Sequence, residues 1–438
     1  MEKFKDCAEG FTLAEAIQEA QRCLNCKVPS CMKGCPISNE IPSWIAELAH
    51  GNFGNAMSII SKRSSLPAVC SRVCAHERQC EGHCVLGKKD VPINIGRLER
   101  FISDFDTEAA ISHESIPAKD RGRVAIIGSG PAGLTTAGTL ARLGYNVEIF
   151  EMESEAGGVL MYGIPEYRLP KEVVRNEIKK IESLGVNIHL NLMAGRDFTL
   201  DELFEHGFDA VFMATGIGKP KRPAIPGINH TGVRQAIRFL RRVSLYERGY
   251  MSRQEVIIGD DDRVFIIGCG NTAMDAARSA LRMGSREVTV IYHKTADEMS
   301  ALRAEYNDAV AEGVKFMWNS SVVDIIGGEG TRLTSITVET EGRRVTLPAD
   351  FVMLAVGSQP AARIVSTTTG IDIDDRGYVL TREFPYGMTT RRGVFAGGDV
   401  TNRPASVVHA MRDAMQVAQG IDDYVKALKL MESIENAN

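Results

Sequence analysis

Two stretches of this chain carry the same pattern: a run of β-branched apolar residues stops at a glycine turn and restarts as a helix. In the first, residues 124–127 run into Gly128, Ser129, Gly130, Pro131, Ala132 and Gly133. Gly128 permits a tight turn, Gly130 lets backbone amides approach a pyrophosphate, and Gly133 lets the helix close on the strand. The helix N-terminus adds a field that attracts phosphate. The next strand, residues 147–150, ends at Glu151, where a carboxylate accepts hydrogen bonds from ribose hydroxyls. In the second stretch, residues 264–267 run into Gly268, Cys269, Gly270, Asn271, Thr272, Ala273, Met274 and Asp275, with Ala273 in place of the third glycine. Its following strand ends in Tyr292, His293 and Lys294. No acid stands there to repel a 2′-phosphate, so this site leans to NADPH, with NADH possible.

Strand-like runs at 124–127, 147–150, 210–214, 264–267, 288–292, 351–356 and 394–396, many separated by helix-length segments, predict parallel sheets of βαβ units. Breaker-rich segments at 216–227 and 357–360 read as crossings, so the second sheet is inserted into the first. The expected fold class is α/β: two Rossmann-like dinucleotide-binding domains, the second nested in the first, preceded by an α-helical domain that its eight cysteines between Cys23 and Cys84 mark as iron–sulfur. The boundaries are residues 1–118 for the helical domain, 119–226 with 361–438 for an FAD-binding domain, and 227–360 for an NADPH-binding domain. Near the C-terminus, Gly397, Gly398 and Asp399 end a buried strand and precede a long helical pattern through Val407, Val408, Met411, Met415 and Val417. That ending sets Asp399 against flavin ribityl or pyrophosphate hydroxyls.

The helical head is set apart by its cysteines. Of ten in the chain, eight lie between Cys23 and Cys84, as Cys23, Cys26, Cys31, Cys35 and then Cys70, Cys74, Cys80, Cys84. Without a secretion signal, such a group favours thiolates on metal over disulfides. Pro36 after Cys35 is a common companion of cluster loops. Structural zinc sites pair one CxxC with another, and the second tetrad has none, so iron–sulfur is favoured over zinc. Cys7 and Cys269 read as incidental thiols, and His76 and His83 as solvated or cap-forming. Thr12 and Glu15 form a capping-box pair ahead of Leu13, Ala16, Ile17, Ala20 and Leu24 at helical spacing. A second amphipathic stretch covers about 94–105, with Ile95, Leu98, Phe101, Ile102 and Phe105 on one face and Glu99 at its edge.

The order of cysteine tetrads, first opening, nested opening and Gly-Gly-Asp ending resembles the small (β) subunit family of glutamate synthase. That family extends to the large subunit of NADH-dependent ferredoxin:NADP oxidoreductase and the nucleotide-binding part of dihydropyrimidine dehydrogenase. The similarity runs through residues 22–26, 93–101, 157–170, 214–216 and 270–275. It implies FAD, NADPH and two [4Fe-4S] clusters. One cluster would use Cys23, Cys26, Cys31 and Cys84; the other would use Cys35, Cys74, Cys80 and the carboxylate of Glu99, leaving Cys70 spare. It also implies cofactor-binding roles for Gly158, Arg168, Thr215 and Gly216. The chain departs from the family at His293 and Lys294, where NADPH-using members usually carry two arginines, and at Ala75, Ser300 and Ala414.

The resulting expectation is an electron-input enzyme that oxidises NADPH through FAD and passes electrons through the clusters to a partner redox subunit, first of all a glutamate synthase large subunit. A bifurcating transhydrogenase subunit, a dihydropyrimidine dehydrogenase subunit and a zinc-stabilised nucleotide-binding scaffold are the alternatives. No side-chain acid or base is named as catalytic. A net charge of −5 gives no reason to expect nucleic acid, and no apolar run is long enough for a membrane span, so a cytoplasmic location is expected.

Overall fold

The computed structural model describes residues 10–111, 115–328, 332–360, 365, 367–401 and 405–436. Cys7 lies outside them. Two compact units are present: a larger one containing residues up to Met161, Lys171–Gly218 and the chain from Gln359 onward, and a smaller one containing Tyr162–Pro170 and Lys219–Ser358. Among the described residues no helix is long and apolar enough to cross a membrane.

The larger unit begins with helices only: α1 (Leu13–Gln21), α2 (Ser30–Gly34), α3 (Ile41–Ala49), α4 (Phe53–Ser61), α5 (Pro67–Val73) and α6 (Ile95–Ala109). The Thr12–Glu15 capping box starts α1, with the Thr12 amide donating to Glu15 Oε2 at 2.7 Å. Ala16 and Ala20 are buried, whereas Leu13 and Leu24, expected on the same stripe, are exposed. The stripe narrows because α1 stops at Gln21 and the chain turns out toward its first cysteine loop. α6 runs a turn longer than the sequence pattern, burying Ile95, Leu98 and Ile102. Phe105 packs on Phe53 with ring centroids 4.8 Å apart. Carboxylates tie the loops to the α6 N-terminus: Glu19 Oε1 accepts from the Asn94 amide at 2.8 Å, and Glu81 Oε1 from the Gly96 amide at 2.9 Å. Orphan helix amides thus become anchors for the cysteine segments.

The same unit continues as β1 (Arg123–Ile127), α7 (Pro131–Arg142), β2 (Asn146–Phe150), α8 (Val159–Tyr162), α9 (Lys171–Glu182), β3 (Asn187–His189), α10 (Leu200–Glu205) and β4 (Ala210–Met213). Beyond the insertion come β15 (Val394–Ala396) and the long terminal helix α14 (Val407–Glu435). Its parallel sheet has the order β15-β4-β1-β2-β3.

In the smaller unit the two-residue strands β5 (Lys219–Pro220) and β14 (Ser358–Gln359) pair where the insertion starts and stops. Between them, β6 (Val233–Gln235), α11 (Ala236–Glu247), β7 (Arg263–Ile267), α12 (Asn271–Arg282), β8 (Glu287–Ile291), α13 (Arg303–Ala311), β9 (Lys315–Met317) and β13 (Phe351–Leu354) build a second parallel sheet in the order β6-β13-β7-β8-β9. The antiparallel meander β10 (Ser320–Gly327), β11 (Leu333–Thr340) and β12 (Arg343–Pro348) was not anticipated from sequence. Its inward residues, among them Val322, Ile325, Ile336 and Val338, share a core with Val352 and Leu354 of β13. The α/β class with two parallel sheets behind a helical head is therefore what the chain adopts.

Candidate functional site

The first opening is built for close approach. Gly128 has φ +98°, and a Cβ there would fall 2.7 Å from the Ala214 carbonyl oxygen. A Cβ on Gly133 would lie 2.0 Å from the Gly128 carbonyl oxygen, so only glycine lets α7 rest on β1. Gly130 is different: a Cβ on it would meet nothing within 4 Å, leaving room above the first amides of α7. Gly158, with φ +54°, approaches the Gly130 backbone, and Thr215 and Gly216 follow the Ala214 carbonyl that meets Gly128. Pro131 and Ala132 form the first turn of α7, and Gly398 packs against the Ala132 side chain. Glu151 is buried, with Oε2 accepting from the Ser129 amide at 2.9 Å and Oε1 from the Glu153 amide at 2.8 Å.

The C-terminal turn meets this cradle. The Gly398 amide donates to Asp413 Oδ2 at 2.6 Å, and Tyr386 donates to Asp413 Oδ1 at 2.7 Å. Asp399 Oδ1 is buried without a hydrogen-bond partner, and burial pushes this carboxyl up to about 6. An unpartnered buried carboxylate oxygen beside a glycine cradle is suited to accept from a ligand hydroxyl, as a flavin dinucleotide offers. The residues fit that group.

In the smaller unit the second opening repeats the construction. Gly268 has φ +116°, and a Cβ there would lie 2.5 Å from the Ala355 carbonyl oxygen. Ala355, Val356 and Gly357 thus stand to Gly268 as Ala214, Thr215 and Gly216 stand to Gly128, a correspondence that the sequence shows as two Ala-x-Gly strand ends. Gly270 precedes α12, Thr272 and Ala273 lie in its first turn, and Asn271 Oδ1 accepts from the Leu302 amide at 2.9 Å. Asp275 is turned inward, where Arg168 Nη1 reaches its carboxylate at 2.9 Å and Arg168 Nε reaches Glu305 at 2.7 Å. Tyr167 donates to the Asp275 carbonyl at 3.2 Å and carries the Arg278 guanidinium over its ring. Arg168 and Asp275 are thus joined to each other, a pairing that their separation in sequence hid.

His293 and Lys294 are exposed just past β8. Lys294 Nζ lies 3.4 Å from Glu298 Oε1, while the Glu298 carboxylate also accepts from the Thr295 hydroxyl at 3.0 Å. The Thr295 hydrogen bonds hold Glu298 below the usual carboxylate range. The lysine expected to face a 2′-phosphate therefore already has an acidic neighbour, missed in the sequence because the pair sits on a short turn beyond the strand.

Cys23, Cys26, Cys31 and Cys84 surround one cavity whose other walls include Ile41, Ile45 and Ile95. Burial raises the Cys23 thiol and pushes Cys31 up to about 11. Cys35, Cys74 and Cys80 form a second neighbourhood, and the Glu99 carboxylate acts electrostatically on all three. Burial pushes Cys35 up to about 11 and raises Cys80, whereas Cys74 is raised first by its hydrogen bond with Cys70. Glu99 is 8% exposed and is pushed up to about 8 by burial, with the Glu177 carboxylate adding to the effect. Cys70 is buried with its Sγ 3.5 Å from Met411 Sδ of α14. Among the described residues no three Cys, His, Asp or Glu side chains close around a single metal ion. The thiols of both neighbourhoods are the soft donors that iron–sulfur chemistry uses, with the Glu99 carboxylate a hard oxygen donor beside the second, and the donors fit. Glu177 on α9, buried beside Glu99, had no sequence signal because its neighbourhood forms only on folding.

Residues 122–414 match the pyridine nucleotide-disulphide oxidoreductase family, and residues 1–111 match domain II of dihydropyrimidine dehydrogenase, described as a 4Fe-4S cluster domain. The glutamate synthase [NADPH] small chain of Halomonas elongata is 34% identical over 97% of this chain and 93% of its own. This chain belongs to that family. A further relative, the NAD-dependent dihydropyrimidine dehydrogenase subunit PreT of Escherichia coli, is 33% identical over 95% of this chain and 96% of its own. In fold, the chain is similar to FprA of Mycobacterium tuberculosis in complex with NADPH, with a TM-score of 0.57 at 19% identity over 71% of this chain and 86% of that one.

Proposed function

We propose that this chain is the electron-input subunit of a glutamate synthase, oxidising NADPH and delivering electrons to a partner subunit. The reading rests on one observation above all: the glycine cradle at Gly130 and both cysteine neighbourhoods lie within one compact unit, and a second dinucleotide opening is inserted into the same chain. When bound, FAD supplies exchange between a hydride and single electrons, and the [4Fe-4S] clusters supply one-electron carriage. The chain's own residues bind and orient. Gly128, Gly130 and Gly133 set the α7 amides at the flavin pyrophosphate, Asp399 accepts from a hydroxyl, and Glu151 anchors the ribose end through the turn it organises. Gly268, Gly270 and Asn271 do the same for the nicotinamide dinucleotide, with His293 and Lys294 at its ribose end. Cys23, Cys26, Cys31 and Cys84 would hold one cluster, and Cys35, Cys74, Cys80 and Glu99 the other.

Electron input to a dihydropyrimidine dehydrogenase with NADH is the second reading, favoured by the Glu298 carboxylate beside Lys294, which works against a 2′-phosphate. The deciding experiment is anaerobic purification with the native partner, followed by NADPH and NADH oxidation against 2-oxoglutarate plus glutamine and, separately, uracil. Glutamate formation with NADPH is the expected result; turnover with uracil alone supports the second reading, and a preparation without iron, sulfide or flavin overturns both.

A further inference from the structure

We infer that a cleft in the smaller unit, sharing no residue with the nucleotide opening, binds a small organic anion: an apolar body carrying phosphate or carboxylate groups. The cleft has a volume of about 570 Å³ and lies along the edge strand β6 and the first turns of α11. Lys219, Arg222, Arg234, Arg238 and Arg242 line it. Its apolar wall includes Phe239, Ile258, Phe351 and Met353, all of them buried. Ligand sites are typically concavities of roughly 300–1,000 Å³ that combine an apolar lining with a few placed polar groups.

The charges are what favour an anionic occupant. Arg222 donates to the Ile228 carbonyl at 3.2 Å, Arg234 to the Val233 carbonyl at 2.9 Å and Arg242 to the Glu255 carbonyl at 2.6 Å. These acceptors are main-chain carbonyls; Arg242 in addition acts electrostatically on the exposed Glu255 carboxylate. Among the described residues none of the five cations forms an ion pair with a carboxylate, although the chain as a whole carries a net charge of −5. Arg238 and Arg242 stand four apart on α11, a spacing at which like charges repel, so the helix keeps an unfavourable pair on the face that meets the cleft. Guanidinium forks recognise phosphate and carboxylate in two-point fashion, and here four of them line a cleft with an apolar floor. A strictly inorganic anion would leave that floor unused.

Isothermal titration of the anaerobically purified full chain tests this, with NADP⁺ held at saturation so that the nucleotide opening is filled. The probes are 1-naphthyl phosphate, 1-naphthoate and inorganic phosphate. The expected result is saturable binding of one of the two naphthyl anions at least about tenfold tighter than inorganic phosphate, because apolar area is buried with the charge. That affinity falls with added salt and drops at least about tenfold in Arg238→Glu. The phosphate and carboxylate arms show which acidic group is preferred. Arg222→Glu, on a segment outside the helix, supplies a second variant whose folding does not depend on α11. NADPH oxidation with ferricyanide stays unchanged in both, which separates this proposal from the one on electron input. Absence of binding by either naphthyl anion, or affinity undiminished in both variants, overturns it. Loss of partner-subunit assembly in Arg238→Glu without naphthyl binding also overturns it and assigns the cleft to protein docking.

Discussion

Asp399 shows how much one buried atom decides. Its carboxyl is pushed up to about 6 by burial, above the unfolded value of about 3.9. The folded, flavin-free protein therefore holds this proton more tightly than the unfolded chain, so stability falls as pH rises through that window and levels off above it. In Asp399→Asn the slope between pH 4 and 6 should flatten in thermal melts of flavin-free protein, while FAD retention weakens by about tenfold through loss of a charged acceptor. Melts with an unchanged slope would remove Asp399 as its source. At the other nucleotide site, Glu298 partly offsets Lys294. Glu298→Gln should lower KM for NADPH by about two- to fivefold, the scale of a half-exposed ion pair, and leave KM for NADH unmoved. Equal shifts for the two nucleotides would remove Lys294 from 2′-phosphate recognition. The acid at 399 could be singled out in the sequence as a candidate for flavin hydroxyls; Glu298 could not, because a capping turn past β8 brings it back to Lys294.

At the scale of elements, the two glycines of the first opening make opposite demands. A Cβ at Gly133 collides with the Gly128 carbonyl at 2.0 Å, whereas one at Gly130 meets nothing. Gly133→Ala should displace α7 from β1 and give little folded protein. Gly130→Ala should fold with a stability change of no more than about 1 kcal/mol yet lose FAD at least about tenfold, since the methyl group occupies the space the pyrophosphate needs. Comparing melting temperature with flavin content separates the two; parallel losses of both in Gly130→Ala would mean that the space above α7 is structural. The capping box of α1 and the strand runs were readable because their determinants lie within a few residues. The meander β10–β12 was not, since its alternation covers one face of a sheet whose other strands are distant in the chain.

At the scale of the whole molecule, the cysteine neighbourhoods and the first opening share a unit, and the second opening belongs to another. Within that unit the helical head has a hydrophobic core of its own, distinct from the one behind the first opening, so damage to a thiolate set should be local. Cys35→Ser is expected to lower the iron content by about half, one of two clusters, and to leave FAD bound and NADPH–ferricyanide turnover within about twofold of wild type, while glutamate formation with the partner collapses. Iron, flavin and the two activities measured on one preparation check this, and loss of flavin together with iron would show the head and the cradle to be one cooperative site.

Short-range chemistry let the sequence alone establish the α/β class, the two nucleotide openings and the concentration of thiols, because glycine turns, capping pairs and cysteine spacings act over a few residues. Folding alone decided which charges meet. Arg168 is bound to Asp275 and Glu305, Glu99 is buried beside Glu177, and Cys70 rests on Met411. Each of these depends on residues far apart in the chain that only packing brings within a few ångströms, the distance over which hydrogen bonds and ion pairs act.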